Sequence, residues 1–291
     1  MEYANHLNEY AAAPSQEEVA RAVSAAQDAV KENYTAEVYK FLLSSIDLTS
    51  LSCEDSEQRV SAMARRAAEF SIDYPALPSV ASICVYPPFV ETVGLAVDGT
   101  PLKITAVAGG FPSSQTFLEV KMLEVAMAIE NGADEVDVVL SVGKMLTGAF
   151  DEAANEIEVL RAEAEDATLK VILETGALGA ADLIYKAALL SMAAGADFIK
   201  TSTGKIEVSA TPEAVVVMCE AIKAYFALTS RRVGIKVAGG VRTAEQAALY
   251  YTIVEQILGE EWLTPDLFRI GASSAANNIL SAIEGKEVKY F

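Results

Sequence analysis

The stretch Asp197-Phe198-Ile199-Lys200-Thr201-Ser202-Thr203-Gly204-Lys205 ends an apolar run on a lysine and follows it with a Ser/Thr/Gly turn. Side chains alternate along a strand, so Phe198 and Lys200 share one face and Ile199 takes the other. If the first face lines the interior of a closed sheet, the ammonium is desolvated and holds its proton less tightly. The neutral amine is then a nucleophile toward carbonyls. The same position also suits a lysine that snorkels its head into solvent. A second lysine shifts the balance: Lys236, in Gly234-Ile235-Lys236-Val237-Ala238-Gly239-Gly240, sits on the next apolar run. Two ammonium groups sharing one interior make it harder for both to stay protonated. Asp137, within Asp134-Glu135-Val136-Asp137-Val138-Val139-Leu140, either joins that interior or pairs locally outside. A buried carboxylate without a cation is costly, and two interior lysines lower that cost.

Three turns could receive a phosphate: Thr203-Gly204-Lys205, Gly239-Gly240-Val241 and Gly271-Ala272-Ser273-Ser274. Such turns aim backbone N–H groups and hydroxyls at an anion, and the last opens a predicted helix whose dipole adds to the attraction. Gly-Gly is equally a plain turn signal. Cys84, inside an apolar run, reads as core. Lys144 reads as a solvated loop residue, Lys170 as a strand-end ion-pair residue and Trp262 as packing before the last strand. The single histidine, His6, lies in the N-terminal segment. A His-rich metal site is therefore excluded, and a histidine triad requires a long fold-back; no metal or other cofactor is expected.

The elements that must position these residues follow from the apolar pattern. Residues 14–43 are Ala-rich, lack glycine and place Val19, Val23, Ala26 and Val30 at helical spacing. They predict a helical N-terminal extension over residues 1–43, ahead of a catalytic domain over 44–291. Beyond it, short β-branched runs alternate with amphipathic stretches, the pattern of βα units around a parallel sheet. The predicted strands are Ser45–Leu48, Val80–Tyr86, Leu102–Ala108, Glu135–Leu140, Leu169–Glu174, Asp197–Thr201, Val233–Ala238 and Leu267–Gly271. A doubly wound sheet could also hold them, but Asp47, Thr49, Glu174, Thr175, Lys200, Thr201 and the Ser273-Ser274 pair gather at strand C-terminal ends. That is where a (β/α)8 barrel builds its site, so an α/β TIM barrel is the predicted fold.

The chain of 291 residues carries 22 Lys plus Arg against 41 Asp plus Glu, a formal net charge of −19. Such a field disfavours nucleic acid and anionic membranes as partners. An anionic substrate must then be held by a local pocket against the average field. Apolar residues make up 52% of the chain, enough for a substantial core. Three widely spaced cysteines without a CxxC fit reduced thiols. No basic and apolar leader opens the sequence, and no apolar run approaches the roughly 20 residues of a membrane span. Together these predict a cytoplasmic protein.

The chain resembles the deoxyribose-phosphate aldolases, class I aldolases with a (β/α)8 barrel. The resembling residues are Asp47–Thr49, Ile83-Cys84-Val85-Tyr86-Pro87, Phe111-Pro112, Gly132–Asp137, Glu174-Thr175-Gly176, the Lys200 stretch, Lys236 with Gly239–Thr243, and Gly271–Ser274. The Lys200 stretch is highly specific; the Gly-Gly turn is not. The resemblance implies that Lys200 forms a Schiff base, Lys236 tunes it and Asp137 joins proton transfer. The implied reaction is reversible cleavage of 2-deoxy-D-ribose 5-phosphate to D-glyceraldehyde 3-phosphate and acetaldehyde. Substrate contacts are implied for Asp47, Thr203, Gly204, Lys205, Gly239, Gly240, Ser273 and Ser274, and Tyr290 matches a tail tyrosine that the family uses in proton transfer. Val237, Ser114 and Ala177 depart from the family pattern; the first is expected to point outward, the others to reshape loops. The N-terminal helices are expected to cover the barrel bottom or form a subunit contact, the latter in a possible homodimer. Two other functions fit the same residues, another Schiff-base aldolase or transaldolase-like enzyme and a non-catalytic sugar-phosphate binding protein. Turnover of acetaldehyde, or ligand binding without a reducible adduct, separates them.

Overall fold

The computed structural model describes residues 3–291. Three helices precede the first strand: α1 (Tyr3–His6), α2 (Gln16–Ala29) and α3 (Ala36–Ser44). Helix α2 starts where Ser15 accepts from the Glu18 backbone while the Glu18 side chain accepts from the Ser15 N–H, a reciprocal cap. Its spacing buries Val19, Val23 and Ala26, as the sequence predicts, but the helix does not run on to residue 43; a 3-10 turn over Val30–Asn33 separates it from α3.

Eight strands follow: β1 (Ile46–Thr49), β2 (Ser82–Val85), β3 (Lys103–Ala108), β4 (Glu135–Val139), β5 (Thr168–Ile172), β6 (Phe198–Lys200), β7 (Gly234–Ala238) and β8 (Phe268–Ala272). Each falls within or against its predicted run. All pair in parallel in chain order, and β8 closes on β1, giving the (β/α)8 barrel. Between and after the strands lie α4 (Glu57–Asp73), α5 (Val90–Val97), α6 (Leu118–Glu130), α7 (Val142–Leu146) and α8 (Phe150–Glu163). The second half adds α9 (Thr175–Leu178), α10 (Ala181–Ala193), α11 (Pro212–Thr229), α12 (Ala244–Leu258) and α13 (Ser274–Glu284).

Both faces of the parallel sheet are covered, so the strands bury almost every residue and the helices turn one stripe inward. Helix α4 shows the rule: Ser56 caps it, and Val60, Ala64, Ala67 and Phe70 form its buried stripe. Trp262 is buried beside β7, its Nε1 donating to the Val233 carbonyl at 3.0 Å.

The extension lies mainly along the outside of the helical layer rather than across the barrel bottom. Tyr3 donates to Glu158 of α8 at 3.0 Å, and Asn33 donates to Thr252 and Glu255 of α12 at 3.0 and 2.8 Å. Helix α3 reaches the N-terminal end of the barrel, where Phe41 stacks on Phe268 at 5.9 Å.

Candidate active site

Parallel register brings the interior side chains of neighbouring strands level with one another. Lys200 is opposite Lys236, Lys236 opposite Arg269, and Asp137 opposite Lys170. Asp137 is the hub. Its Oδ2 lies 2.7 Å from both Lys200 Nζ and Lys236 Nζ, and its Oδ1 lies 2.9 Å from Lys170 Nζ. Below it, Lys236 reaches Asp47 at 2.5 Å, Arg269 bridges Asp47 at 2.6 Å and Glu135 at 2.9 Å, and Lys170 meets Glu135 at 2.5 Å. Room for the Lys236 side chain comes from Gly271, where a Cβ would lie 3.1 Å from Lys236 Cε and 2.8 Å from Ala238 Cβ.

Above this layer a pocket of about 490 Å³ opens at the C-terminal end of the barrel, with Lys200 at its floor. Thr203, Gly204, Lys205, Gly239, Gly240, Arg242, Ser273 and Ser274 line one side, and Thr49, Leu51 and Arg59 are also on its wall. The turns after β6 and β7 are clamped together. Thr201 Oγ1 donates to the Ala238 carbonyl and accepts from the Ala238 N–H, both at 2.9 Å. At Gly239, with φ +88°, a Cβ would collide with Ser209 Cβ at 2.6 Å, so this close approach of two loops needs glycine. Glu174 fixes the first turn: its carboxylate accepts from Thr203 Oγ1 at 2.5 Å and from the Thr203 N–H at 3.3 Å. Ser273 stands at the N-cap position of α13 with its side chain making no capping hydrogen bond, so the first N–H groups of the helix are left without that partner at the pocket wall.

Burial and charge set the protonation states. Burial holds the Lys200 amine below the usual lysine range; Asp137 opposes this and the Lys236 charge adds to it. Burial also pulls on Lys236, but Asp137 and Asp47 outweigh it and hold that ammonium above the usual range. Burial would raise Asp137, yet Lys170, Lys200 and Lys236 overcome it and keep the carboxylate well below its ordinary value. The result is one amine held below its ordinary range, beside a lysine and an aspartate that rest charged between turnovers.

Lys200, Lys236 and Asp137 are thus brought together, and every expected phosphate residue lines the pocket. Asp47 is not on the pocket wall; it is fully buried beneath Lys236, because Arg269 and Lys236 claim its oxygens. Lys170 corrects the sequence reading more sharply. It is no strand-end residue but a fully buried member of the interior layer. Tyr290 is docked on α4, its OH donating to Asp73 at 2.8 Å, with its ring against Phe70 and Tyr74. Asn277 holds the tail by accepting from the Tyr290 and Phe291 N–H groups at 2.7 and 2.9 Å, so Tyr290 lines none of the pocket.

Among the departures from family pattern, Val237 does point outward into the apolar layer. Ser114 ties the loop after β3 down, donating to the Val139 carbonyl at 2.9 Å and accepting from buried Lys121 at 2.7 Å. Ala177 is exposed. Cys84 is buried with Leu51 and Val107 beside the lysines, and burial pushes its thiol up. Sequence reasoning missed Arg59 and Arg242 on the wall, and Glu135 and Arg269 in the interior. The last two had a signal, because Arg269 alternates with Phe268 and Ile270 in an apolar run. Arg59 had none, since one arginine in the first turn of an amphipathic helix is ordinary surface.

The sequence matches the DeoC/LacD family aldolases over residues 41–274. Deoxyribose-phosphate aldolases of Mus musculus and Homo sapiens are 40% and 38% identical to it over 265 residues, 87% of this chain and 83% of each relative. The deoxyribose phosphate aldolase of Aeropyrum pernix, described as a tetramer, superposes with a TM-score of 0.65 at 26% identity, covering 92% of this chain and 98% of that one. By this family match and these curated relatives, the chain belongs to the DeoC/LacD aldolase family.

Proposed function

We propose that this aldolase cleaves 2-deoxy-D-ribose 5-phosphate reversibly to D-glyceraldehyde 3-phosphate and acetaldehyde, through an imine on Lys200. The observation that carries the reading is a buried amine at the floor of a pocket of about 490 Å³, held 2.7 Å from a carboxylate that also binds a second lysine. The unprotonated Lys200 amine adds to the C1 aldehyde of the open-chain sugar, and loss of water leaves an iminium ion. Removal of the C3 hydroxyl proton breaks the C2–C3 bond, and the electron pair moves into the iminium to give an enamine. Glyceraldehyde 3-phosphate leaves; protonation of the enamine carbon and hydrolysis then release acetaldehyde. Asp137 and Lys236, which meet at the amine, exchange and hold protons for these steps. Gly204, Lys205, Gly239, Gly240, Ser273 and Ser274 bind the phosphate, a cradle of N–H groups and hydroxyls with one ammonium. Asp47 acts on substrate only through Lys236.

Reductive trapping tests the reading. With acetaldehyde and cyanoborohydride, mass spectrometry is expected to find an ethyl group on Lys200, and none in Lys200→Met. An adduct confined to Lys236, or sugar-phosphate binding with no adduct at all, would overturn it.

Among the described residues no helix is long and apolar enough to cross a membrane. Three unpaired cysteines support a cytoplasmic location, which fractionation of the source cells would check. A homodimer is supported by the outer face of α6, where Val120, Leu123 and Met127, with Phe117 before it, are exposed. On a chain of net charge −19, burial of this apolar patch between two copies would offset the like-charge repulsion between them. Light scattering should give twice 30.9 kDa; the monomer mass would refute the dimer.

A further inference from the structure

The charges inside the barrel do not balance. Lys170, Lys200, Lys236 and Arg269 face Asp47, Glu135 and Asp137, four cations against three carboxylates, all buried. The remaining interior positions on β2 and β3 hold Ser82, Cys84, Thr105 and Val107; burial pushes the Cys84 thiol up and keeps it neutral. At the bottom rim, Lys103 lies 3.6 Å from Glu135 and 3.7 Å from Asp266, so the rim contributes one charge of each sign and meets water. At the mouth, Glu174 is buried with both oxygens accepting from Thr203 and pairs with none of these cations, while Lys205, Arg59 and Arg242 line the pocket in contact with water. Among the described residues, no carboxylate other than these three lies within ion-pair distance of the four cations.

A net charge sealed from water is unfavourable, and the interior can remove it by giving up one proton. Arg269 cannot release one. Lys170 lies 2.5, 2.9 and 3.8 Å from Glu135, Asp137 and Asp47, and Lys236 lies 2.5 and 2.7 Å from Asp47 and Asp137. Lys200 touches Asp137 alone, on the oxygen that Lys236 already shares. It is the cation with the weakest hold on its charge.

We propose that the deep layer of Glu135, Lys170 and Arg269 keeps the Lys200 amine free of its proton by leaving the sealed interior one cation in excess. These three are positioning residues: none lines the pocket, and each acts through the charge it presents to Lys200. The inference rests on Lys200 as the imine-forming residue and extends that reading to the groups that prepare it.

The readout is the pH at which ethylation of Lys200 by acetaldehyde and cyanoborohydride is half-maximal. Lys170→Met removes the surplus cation, so Lys200 can keep its proton in a balanced interior, and the midpoint should rise by about one pH unit or more. Glu135→Gln adds to the surplus and should lower it by a similar amount. The double variant Glu135→Gln/Lys170→Met disturbs the same contacts but restores the parental charge, so its midpoint should return to within a few tenths of a unit of the parent's. Both single variants moving in the same direction, neither moving, or a double variant shifted as far as a single one would overturn the inference. A single variant that fails to fold does not leave it open, because nitrogen NMR of the parent protein's lysines reads the same quantity. At pH 7.5, Lys200 should be the neutral amine and Lys170 and Lys236 ammonium; a neutral Lys170 or Lys236 would refute the proposal. Absence of any Lys200 adduct in the parent would instead refute the aldolase chemistry, so the two failures are distinguishable.

Discussion

Lys236→Leu is expected to lower aldol cleavage at neutral pH by about two to four orders of magnitude, the range lost with a positioned proton donor. What activity remains should show its rising limb at higher pH. Two effects push it that way. The Lys236 ammonium, bound to the same Asp137 oxygen as Lys200, no longer repels the Lys200 charge. Asp137, relieved of one partner, also holds the Lys200 ammonium more strongly. Leucine opposes both by drying the site further, since desolvation lowers a lysine. The direction follows from comparing them: Lys200 is already fully buried, so leucine adds little desolvation, whereas removing an ammonium at contact distance changes a large interaction. The limb should move toward that of a free lysine, about 10.4. Removing one partner from a buried ion cluster costs about 3–5 kcal/mol, so circular dichroism must first show that the variant is folded. In a folded variant, a limb that stays in place or moves to lower pH would refute tuning by like charge.

Ser273→Glu should raise KM for the phosphorylated aldehyde by about a hundredfold, while the unphosphorylated analogue changes by less than about threefold. Ser273 stands at the N-cap position of α13 on the wall of the pocket, beside Ser274 and on the same side as the turns at Gly204 and Gly239. A glutamate there occupies the anion site, accepts from the free N–H groups of the helix and repels the dianion. The chain's overall negative charge makes the local cradle the only attraction the phosphate meets, so little compensates for its loss. Kinetics with the two substrates, measured side by side, checks this. Equal loss for both would mean that the phosphate lies elsewhere.

Much of this arrangement was legible in the residues. Eight β-branched runs, each bounded by turn residues, marked eight strands because a sheet covered on both faces must be apolar throughout. Polar residues at the C-terminal ends of those runs marked the barrel over the doubly wound sheet. Lys200, Lys236 and Asp137 stood out as charges inside apolar segments, and the three turns stood out by their glycines and hydroxyls. Tertiary structure decided which face of each strand is the interior. With both faces buried, a period of two says that Lys170 and Leu169 part ways but not which one turns inward. Closure of the barrel settled it and carried Lys170 from an expected strand-end position into a fully buried layer. Register decided the partners: Asp47 belongs to Lys236 and Arg269, not to the pocket, because β8 pairs with β1 and sets Gly271 opposite Asp47. Packing of the C-terminal tail decided Tyr290, which Asn277, Asp73 and two aromatic rings hold on α4. A single sequence lists which charges a chain carries; the number sealed together away from water is a property of the closed barrel, and that number governs the Lys200 amine.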